Sequence, residues 1–220
     1  MKTLAEGERQ LKRCRPGRGR GGGGAPLPAL ILMTDRVRLP DPAAAIRRLP
    51  AGSAVIFRDY DAPDRATAAR CLQRLCRARR IRLLIAGDWR LAAALRADGL
   101  HLPEALAGQG YRTWRRARRP GFLVTQAAHG PAAVALAGRR GVDAVLLSPV
   151  FATASHPNAT PLGPLRFARL VRLAVVPVYA LGGVTAKTRR RLAGIPIAGY
   201  AAIGALVPPS PPTAPPDHSS

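Results

Sequence analysis

The chain has few of the features that mark secreted, zinc-binding or membrane proteins. Its 220 residues include only three cysteines, and no two of them have C-x-x-C spacing. An odd number of such cysteines predicts neither a disulfide framework nor a zinc site. No apolar run approaches the ~20 residues that cross a bilayer, and the basic N-terminus lacks the apolar segment of a secretory signal. We therefore expect a cytoplasmic protein with no membrane partner.

Acidic residues and lysine are also scarce. The chain has 12 acidic and 35 basic residues, which gives a net charge of +23. A basic surface can bind nucleic acid by releasing counterions from phosphate groups. Here nearly all of the positive charge is arginine, alongside abundant alanine, glycine and proline, and this indicates a compositional bias. We do not expect nucleic acid as a partner, although a non-catalytic binder of nucleic acid or of a phosphorylated ligand stays open.

Composition divides the chain into three parts. Residues 1–25 are basic and glycine-rich, and residues 207–220 are rich in proline. Neither segment has enough apolar surface to offset the entropy lost on folding, so we predict a disordered arm and a disordered tail. Residues 26–206 carry the apolar patterning of one folded domain.

Short β-favouring runs alternate with longer helical segments through this domain. The runs are residues 29–33, 54–57, 83–85, 99–102, 122–124, 144–147, 176–180 and 198–202. Helices are predicted over 64–80, 89–96, 131–140, 165–173 and 186–192, with weaker signals over 42–48 and 104–118. Eight runs are enough to close a parallel α/β barrel. No helix is predicted after the eighth run, because the proline-rich tail begins there.

Polar residues that directly follow the runs are the candidates for chemistry, because parallel strands place them on one face. Arg58 follows the second run, and His129 and His156 are the histidines in such loops. Arginine can bind phosphate or carboxylate, and either histidine could move protons near neutral pH. His101 alternates with leucines inside the fourth run, so we expect it to pack in the barrel interior. Asp98 and Asp143 precede strands, and we expect both to be structural turn residues.

Glycines follow the seventh and eighth runs, where barrels often bind phosphate. Gly182 and Gly183 allow close backbone approach to a ligand, and Thr185 is a plausible N-cap for the helix that follows. Ile203 and Gly204 stand in the corresponding place one unit later. The sequence predicts a phosphate site here, with a simple helix-starting turn as the alternative.

Several motifs occur in a characteristic order. The most specific are Pro-Val-Phe-Ala-Thr at 149–153, Pro-Leu-Gly at 161–163 and Ala-Leu-Gly-Gly at 180–183. Leu-Ile-Ala-Gly-Asp at 84–88 and Ala-Asp-Gly-Leu-His at 97–101 precede them. Over about residues 27–206, this order resembles the thiamine phosphate synthase/TenI superfamily. The resemblance implies a TIM-type (β/α)8 barrel in thiamine metabolism that binds a thiazole phosphate as its small-molecule partner, and it implies a homodimer.

The synthase branch of this superfamily also binds a pyrimidine diphosphate with Mg²⁺. Its Gln-x-Arg-x-Lys pattern after the second strand corresponds here to Ile56, Arg58 and Tyr60, so only the arginine matches. Its loop lysine after the sixth strand corresponds to His156, and the serine of its Ser-x-His motif corresponds to Ala127.

The synthase metal ligands are also replaced. The Asn-Asp pair after the third strand corresponds to Ala86 and Gly87, and the acidic ligand after the fourth strand corresponds to Leu106. A hard cation needs oxygen ligands that glycine and leucine side chains lack. Asp88 and Glu104 are the substitutes that a diverged synthase would have to use, and otherwise we expect no metal and no cofactor.

The resemblance therefore favours the TenI branch, in which a thiazole phosphate carboxylate is tautomerised without metal. It implies His129 as the proton-transferring residue and Arg58, Thr153 and His156 as residues that contact the substrate. The predicted phosphate-binding residues are Gly182, Gly183, Ile203 and Gly204.

Overall fold

The computed structural model describes residues 26–104, 114–115, 118–153 and 159–203. Eight parallel strands pair in chain order, and β1 also pairs with β8, so the sheet is a closed barrel. This confirms the predicted TIM-type (β/α)8 fold. The strands are β1 Leu30–Met33, β2 Ala54–Phe57, β3 Arg82–Ala86, β4 Gly99–Leu102, β5 Leu123–Ala128, β6 Ala144–Leu147, β7 Val178–Leu181 and β8 Gly199–Ala202.

Helices follow most of these strands and cover the outside of the barrel. They are α1 Pro42–Arg47, α2 Arg65–Ala78, α3 Trp89–Ala94, α4 Pro131–Arg140, α5 Gly163–Leu173 and a 3-10 helix over Thr188–Leu192. The first three begin in the same way: the carboxylates of Asp41, Asp64 and Asp88 each accept a hydrogen bond from a backbone N–H in the first helical turn. Such N-caps satisfy donors that the helix itself leaves without partners.

Strand alternation sorts the apolar residues into two layers. One layer lies inside the barrel and includes Ile31, Ile56, Leu84, Leu146 and Tyr179. The other lies between strands and helices, where the neighbours of these residues in the strands pack against helical side chains. The centre of the barrel is therefore filled by side chains. A ligand can bind only among the loops at the carboxyl end of the barrel.

Two turns at the amino-terminal face join neighbouring strands. Asp98 Oδ2 accepts a hydrogen bond from the N–H of Leu83 at 2.9 Å, and Asp143 Oδ2 accepts one from Val124 at 2.7 Å. Asp143 also pairs with Arg118. These contacts confirm that both aspartates are structural turn residues.

Three predicted elements differ from the structure. The fifth strand extends to Ala128 because Thr125 and Gln126 are fully buried in the sheet, so residues 125–128 are not a loop. The seventh strand begins at Val178, after Pro177, which has no N–H to donate to a neighbouring strand. The helix predicted over 186–192 is a 3-10 helix of five residues.

Several sequence-based predictions concern residues outside the described ranges. They include the arm at 1–25, the tail at 207–220 and the absence of a helix after the eighth strand. Most of the helix predicted over 104–118 also falls there, although Trp114 and Arg115 are helical. Within the described ranges, no helix is both long and apolar enough to cross a membrane.

Candidate functional site

Arg58 stands at the carboxyl end of β2 and is held by residues that follow β1. Its Nη2 donates to Asp35 Oδ2 at 2.5 Å, and its backbone N–H donates to Thr34 Oγ1 at 2.9 Å. Asp35 Oδ1 in turn accepts from the backbone N–H groups of Val37 and Arg38. Burial disfavours the charged form of Asp35, but these N–H groups and the guanidinium groups of Arg58 and Arg38 together hold its pKa below the ordinary value. A fixed cation therefore lies on the face where a ligand would bind.

The substitution Asp35→Asn tests this arrangement. It removes the charge that binds Arg58, and we expect the free energy of unfolding near neutral pH to fall by about 1–2 kcal/mol. Because the folded-state pKa of Asp35 is lowered, its contribution is complete above the unfolded value of 3.8 and is lost as the pH falls through the folded value. Urea unfolding of both proteins over this range should show the difference shrinking in acid. If the difference in unfolding free energy between the two proteins does not change with pH, the Asp35 charge does not contribute as described.

His129 follows β5 and is paired with Glu104, which follows β4. Glu104 Oε2 accepts from the backbone N–H of His129 at 3.0 Å and lies 2.5 Å from its Nδ1. An ionised carboxylate only accepts, so beside such a carboxylate the imidazole carries its proton on Nδ1. Both side chains are about half exposed. The pair can orient an imidazole for proton transfer to a ligand.

His101 lies one layer deeper, in β4. Its neighbours in the strand, Leu100 and Leu102, belong to the outer apolar layer, so His101 faces the barrel interior. Its Nδ1 lies 2.9 Å from Thr125 Oγ1. Burial, together with the charge of Arg58, lowers the pKa of His101 to about 3. The imidazole is therefore neutral at physiological pH, and the prediction of an interior histidine is confirmed.

Gly182 and Gly183 form a turn after β7 that packs on the loop after β6. Both have positive φ angles, of 88° and 64°. A Cβ at Gly182 would lie 2.8 Å from Pro149 Cα, and a Cβ at Gly183 would lie 2.7 Å from Phe151 Cβ. The turn is also bonded to that loop, since the N–H of Phe151 donates to the carbonyl of Gly182 at 3.0 Å. Glycine is therefore required here for packing, whatever the turn binds.

Thr185 is bonded to Thr188 in the turn that precedes the short helix. Its Oγ1 accepts from the N–H of Thr188 at 3.1 Å, and its own N–H donates to Thr188 Oγ1 at 2.8 Å. The Thr188 hydroxyl donates in addition to the carbonyl of Gly183. The helix itself begins at Thr188 after the N-cap residue Lys187, which makes no side-chain cap, so the N-cap predicted at Thr185 is wrong. The Thr185–Thr188 pair instead closes the turn that joins the helix to the glycine turn.

Arg65 is the residue of this face that sequence reasoning missed. It is one of 32 arginines, and it stands seven positions beyond Arg58, inside a helix. Its guanidinium nevertheless reaches the ends of β2 and β3, where Nη2 donates to the carbonyl of Ala86 at 2.6 Å and Nη1 to Asp88 Oδ2 at 3.4 Å. The available signal was its place just after the N-cap Asp64, because helical side chains lean towards the N-terminus of their helix.

The carboxylates that a diverged synthase would need for Mg²⁺ do not fit that ion. Asp88 caps α3 through Oδ1 and faces the Arg65 guanidinium through Oδ2. Glu104 is bonded to His129. Among the described residues, no three His, Cys, Asp or Glu side chains are grouped so that they could hold a metal. A divalent ion beside Asp88 would meet the positive charge of Arg65.

The other predicted site residues are only partly described. Thr153 is half-buried in the loop after β6, and Ile203 packs against the interior apolar layer. His156, Gly204 and Leu106 lie outside the described residues. The contacts of all these residues with a ligand remain predictions.

Comparisons with known proteins agree with this architecture. Residues 31–206 match the family described as thiamine monophosphate synthase. A "Putative thiamine-phosphate synthase 2" of Aquifex aeolicus is 36% identical over 134 residues, which are 60% of this chain and 70% of that protein. A "Putative thiamine-phosphate synthase" of Geobacter sulfurreducens is 31% identical over 186 residues, which are 81% of this chain and 86% of that protein.

One further relative and one solved structure also match this chain. The "Thiamine-phosphate synthase" of Latilactobacillus sakei is 30% identical over 64% of this chain, which spans 63% of that protein and so less than two thirds of it. The solved structure of "Thiamine phosphate pyrophosphorylase from Pyrococcus furiosus" is 22% identical and matches with a TM-score of 0.67 over 80% of this chain and 85% of that one. The likeness to this solved structure supports the fold. Since the family match runs from β1 to β8, this chain belongs to the thiamine monophosphate synthase family.

Proposed function

We propose that this chain is a thiamine-phosphate synthase, which joins a pyrimidine diphosphate to a thiazole phosphate with loss of pyrophosphate. The family match over residues 31–206, together with the names of the relatives, supports this activity. The sequence alone favoured a tautomerase, so the comparisons reverse the order of the two candidates. Departure of a diphosphate requires positive charge near its oxygens. The described face offers the guanidinium groups of Arg58 and Arg65 for this role.

The remaining site residues have roles within this proposal. Arg58, Thr153 and His156 contact the substrates, and Gly182, Gly183, Ile203 and Gly204 surround the thiazole phosphate with backbone N–H groups. In this proposal the anionic groups of the two ligands bind on the face that carries these residues. No step is assigned to a metal, because the carboxylates beside Arg65 and His129 do not fit one.

A second candidate, the tautomerisation of a thiazole phosphate carboxylate, is favoured by the pair of His129 and Glu104. The 2.5 Å contact between His129 Nδ1 and Glu104 Oε2 orients the imidazole, which can then act as a general acid or base. Aromatisation of a thiazole requires such a proton transfer. The proposed synthase reaction does not need this pair.

One pair of assays separates the two activities. Purified full-length protein is mixed with pyrimidine diphosphate and thiazole phosphate, and thiamine phosphate is measured by mass spectrometry. In parallel, the thiazole carboxylate tautomer is supplied and its conversion is followed by absorbance. We expect condensation. If no condensation is detected at high enzyme concentration and the tautomer is converted, the second candidate replaces the first.

Glu104→Gln and His129→Ala then test the second candidate directly. If the chain is a tautomerase, His129→Ala should lower turnover by about 100-fold or more, the usual contribution of a general acid or base. Glu104→Gln keeps the size of the side chain but removes the charge that orients the imidazole, so we expect a smaller loss in kcat. Equal turnover in all three proteins would remove His129 from the reaction.

A further inference from the structure

Arg65 begins helix α2, directly after the N-cap residue Asp64. From this position its side chain leans back over the carboxyl ends of β2 and β3. There its Nε donates to the carbonyl of Asp59 at 3.2 Å, and its Nη2 donates to the carbonyl of Ala86, the last residue of β3. The guanidinium is thus held by backbone oxygens that belong to two neighbouring strand ends.

Two aromatic rings fix the same guanidinium. Its central carbon lies 5.5 Å from the centroid of the Phe57 ring and 5.6 Å from that of the Tyr60 ring. The side chain is only 16% exposed. Cation–π contacts of this kind stabilise a partly desolvated cation and keep its plane in place. The Arg65 side chain is therefore held in place on this face, unlike the many solvated arginines of the outer helices.

Its oxygen partners are of the kind that a hard metal ion takes. Two backbone carbonyls and the carboxylate oxygen Oδ2 of Asp88 surround the guanidinium. Carbonyl and carboxylate oxygens are the usual ligands of Mg²⁺. Here they surround a side chain whose charge does not dissociate. A divalent ion at this point would be repelled, so the local positive charge is supplied by the chain itself.

Donors remain for a ligand. A guanidinium has five N–H groups, and three of those of Arg65 have partners among the described residues. Arg58 acts on the same part of the face: burial raises the pKa of Tyr60, while the charges of Arg58 and Arg65 both oppose that rise. Two guanidinium groups near one phenol can bind the oxygens of a single phosphate or diphosphate.

We propose that the Arg65 guanidinium takes the place of a divalent metal at the ends of β2 and β3 and binds the diphosphate of the ligand directly. The proposal rests on the proposed function only for the identity of the ligand. It assigns a binding residue that neither the motifs nor the relatives' names indicate, and it makes anion binding independent of Mg²⁺.

The test is calorimetric titration of the full-length protein with inorganic pyrophosphate, in a chelator and again with Mg²⁺. We expect the wild-type Kd in the chelator to be no weaker than with Mg²⁺. Arg65→Met should weaken binding in the chelator by about 10-fold or more, the value of a lost charge-assisted hydrogen bond. Arg74→Met is the matched control, because Arg74 lies exposed on the same helix and its loss removes the same charge. We expect it to bind like the wild type.

Arg65→Lys keeps the charge but loses the planar fork, so it should bind with intermediate affinity, and it decides the question if Arg65→Met does not fold. Binding that requires Mg²⁺, or equal affinity in the Arg65 and Arg74 variants, would overturn the proposal. Because the readout is binding, it is separate from condensation. Binding that depends on Arg65 without condensation would leave this inference standing and remove the synthase, and condensation with unimpaired Arg65 variants would do the reverse.

Discussion

Gly183→Ala should destabilise the protein by about 3 kcal/mol, from a steric clash and backbone strain together. The added Cβ would lie 2.7 Å from Phe151 Cβ and would also press on the carbonyl oxygen of Ala152. The φ angle of 64° adds strain for any residue with a Cβ. Since the nearest atoms belong to the backbone or to a Cβ, the loop after β6 would have to move as a whole. Equilibrium unfolding in urea measures the change.

Gly52→Ala is the matched control for this prediction. Gly52 also has a positive φ, of 82°, but an added Cβ there would have no heavy atom within 4 Å. It lies between α1 and β2, on the opposite face of the barrel. We expect it to cost about 1 kcal/mol, the strain alone. Equal losses in the two variants would show that the packing of the glycine turn on the β6 loop contributes nothing.

Acid should destabilise the protein strongly through His101. The unfolded chain binds a proton at this residue below its ordinary pKa of 6.5, whereas the folded protein binds it only near about 3. Stability therefore falls as the pH drops from 6.5 towards 3. At 1.36 kcal/mol for each unit, this amounts to about 3 kcal/mol between about pH 7 and pH 4.

His101→Gln isolates this contribution from that of the carboxylates. Glutamine does not titrate, and its amide can still bond to Thr125, so the variant should lose about 3 kcal/mol less than the wild type over the same pH range. Measurement is by urea unfolding at several pH values. Parallel profiles for wild type and His101→Gln would show that burial does not suppress the charge on His101.

Strand order in the sequence placed the candidate site residues on one face of the barrel, but their contacts did not follow from the sequence. Arg58, His129 and the Gly182–Gly183 turn stand directly after strands, and strand order alone brings them to one face. Their partners are distant in sequence: Asp35 is 23 residues from Arg58, and Glu104 is 25 from His129. Glu104 was considered as a metal ligand, and the structure pairs it with an imidazole. Patterns among residues that are close in sequence do not indicate such pairings.

The fifth strand shows a second limit. Thr125 and Gln126 read as loop residues because they are polar, yet both are fully buried. Thr125 contacts His101, and the Gln126 amide bonds to Ala133 and Arg140. A polar side chain can stay in a strand when its hydrogen bonds are satisfied by neighbouring elements. Those neighbours are known only after the barrel closes.

The sequence by itself determined the eight-stranded barrel, since strand and helix periodicity are local properties. It also determined which face carries the polar loops, because parallel strands end together. The tertiary structure decided what each polar group contacts. It surrounded Arg65 with the carbonyls of Asp59 and Ala86, placed Glu104 on His129, and packed Gly183 on the β6 loop. The physical reason is that these contacts join different βα units, whose relative positions depend on closure of the whole sheet.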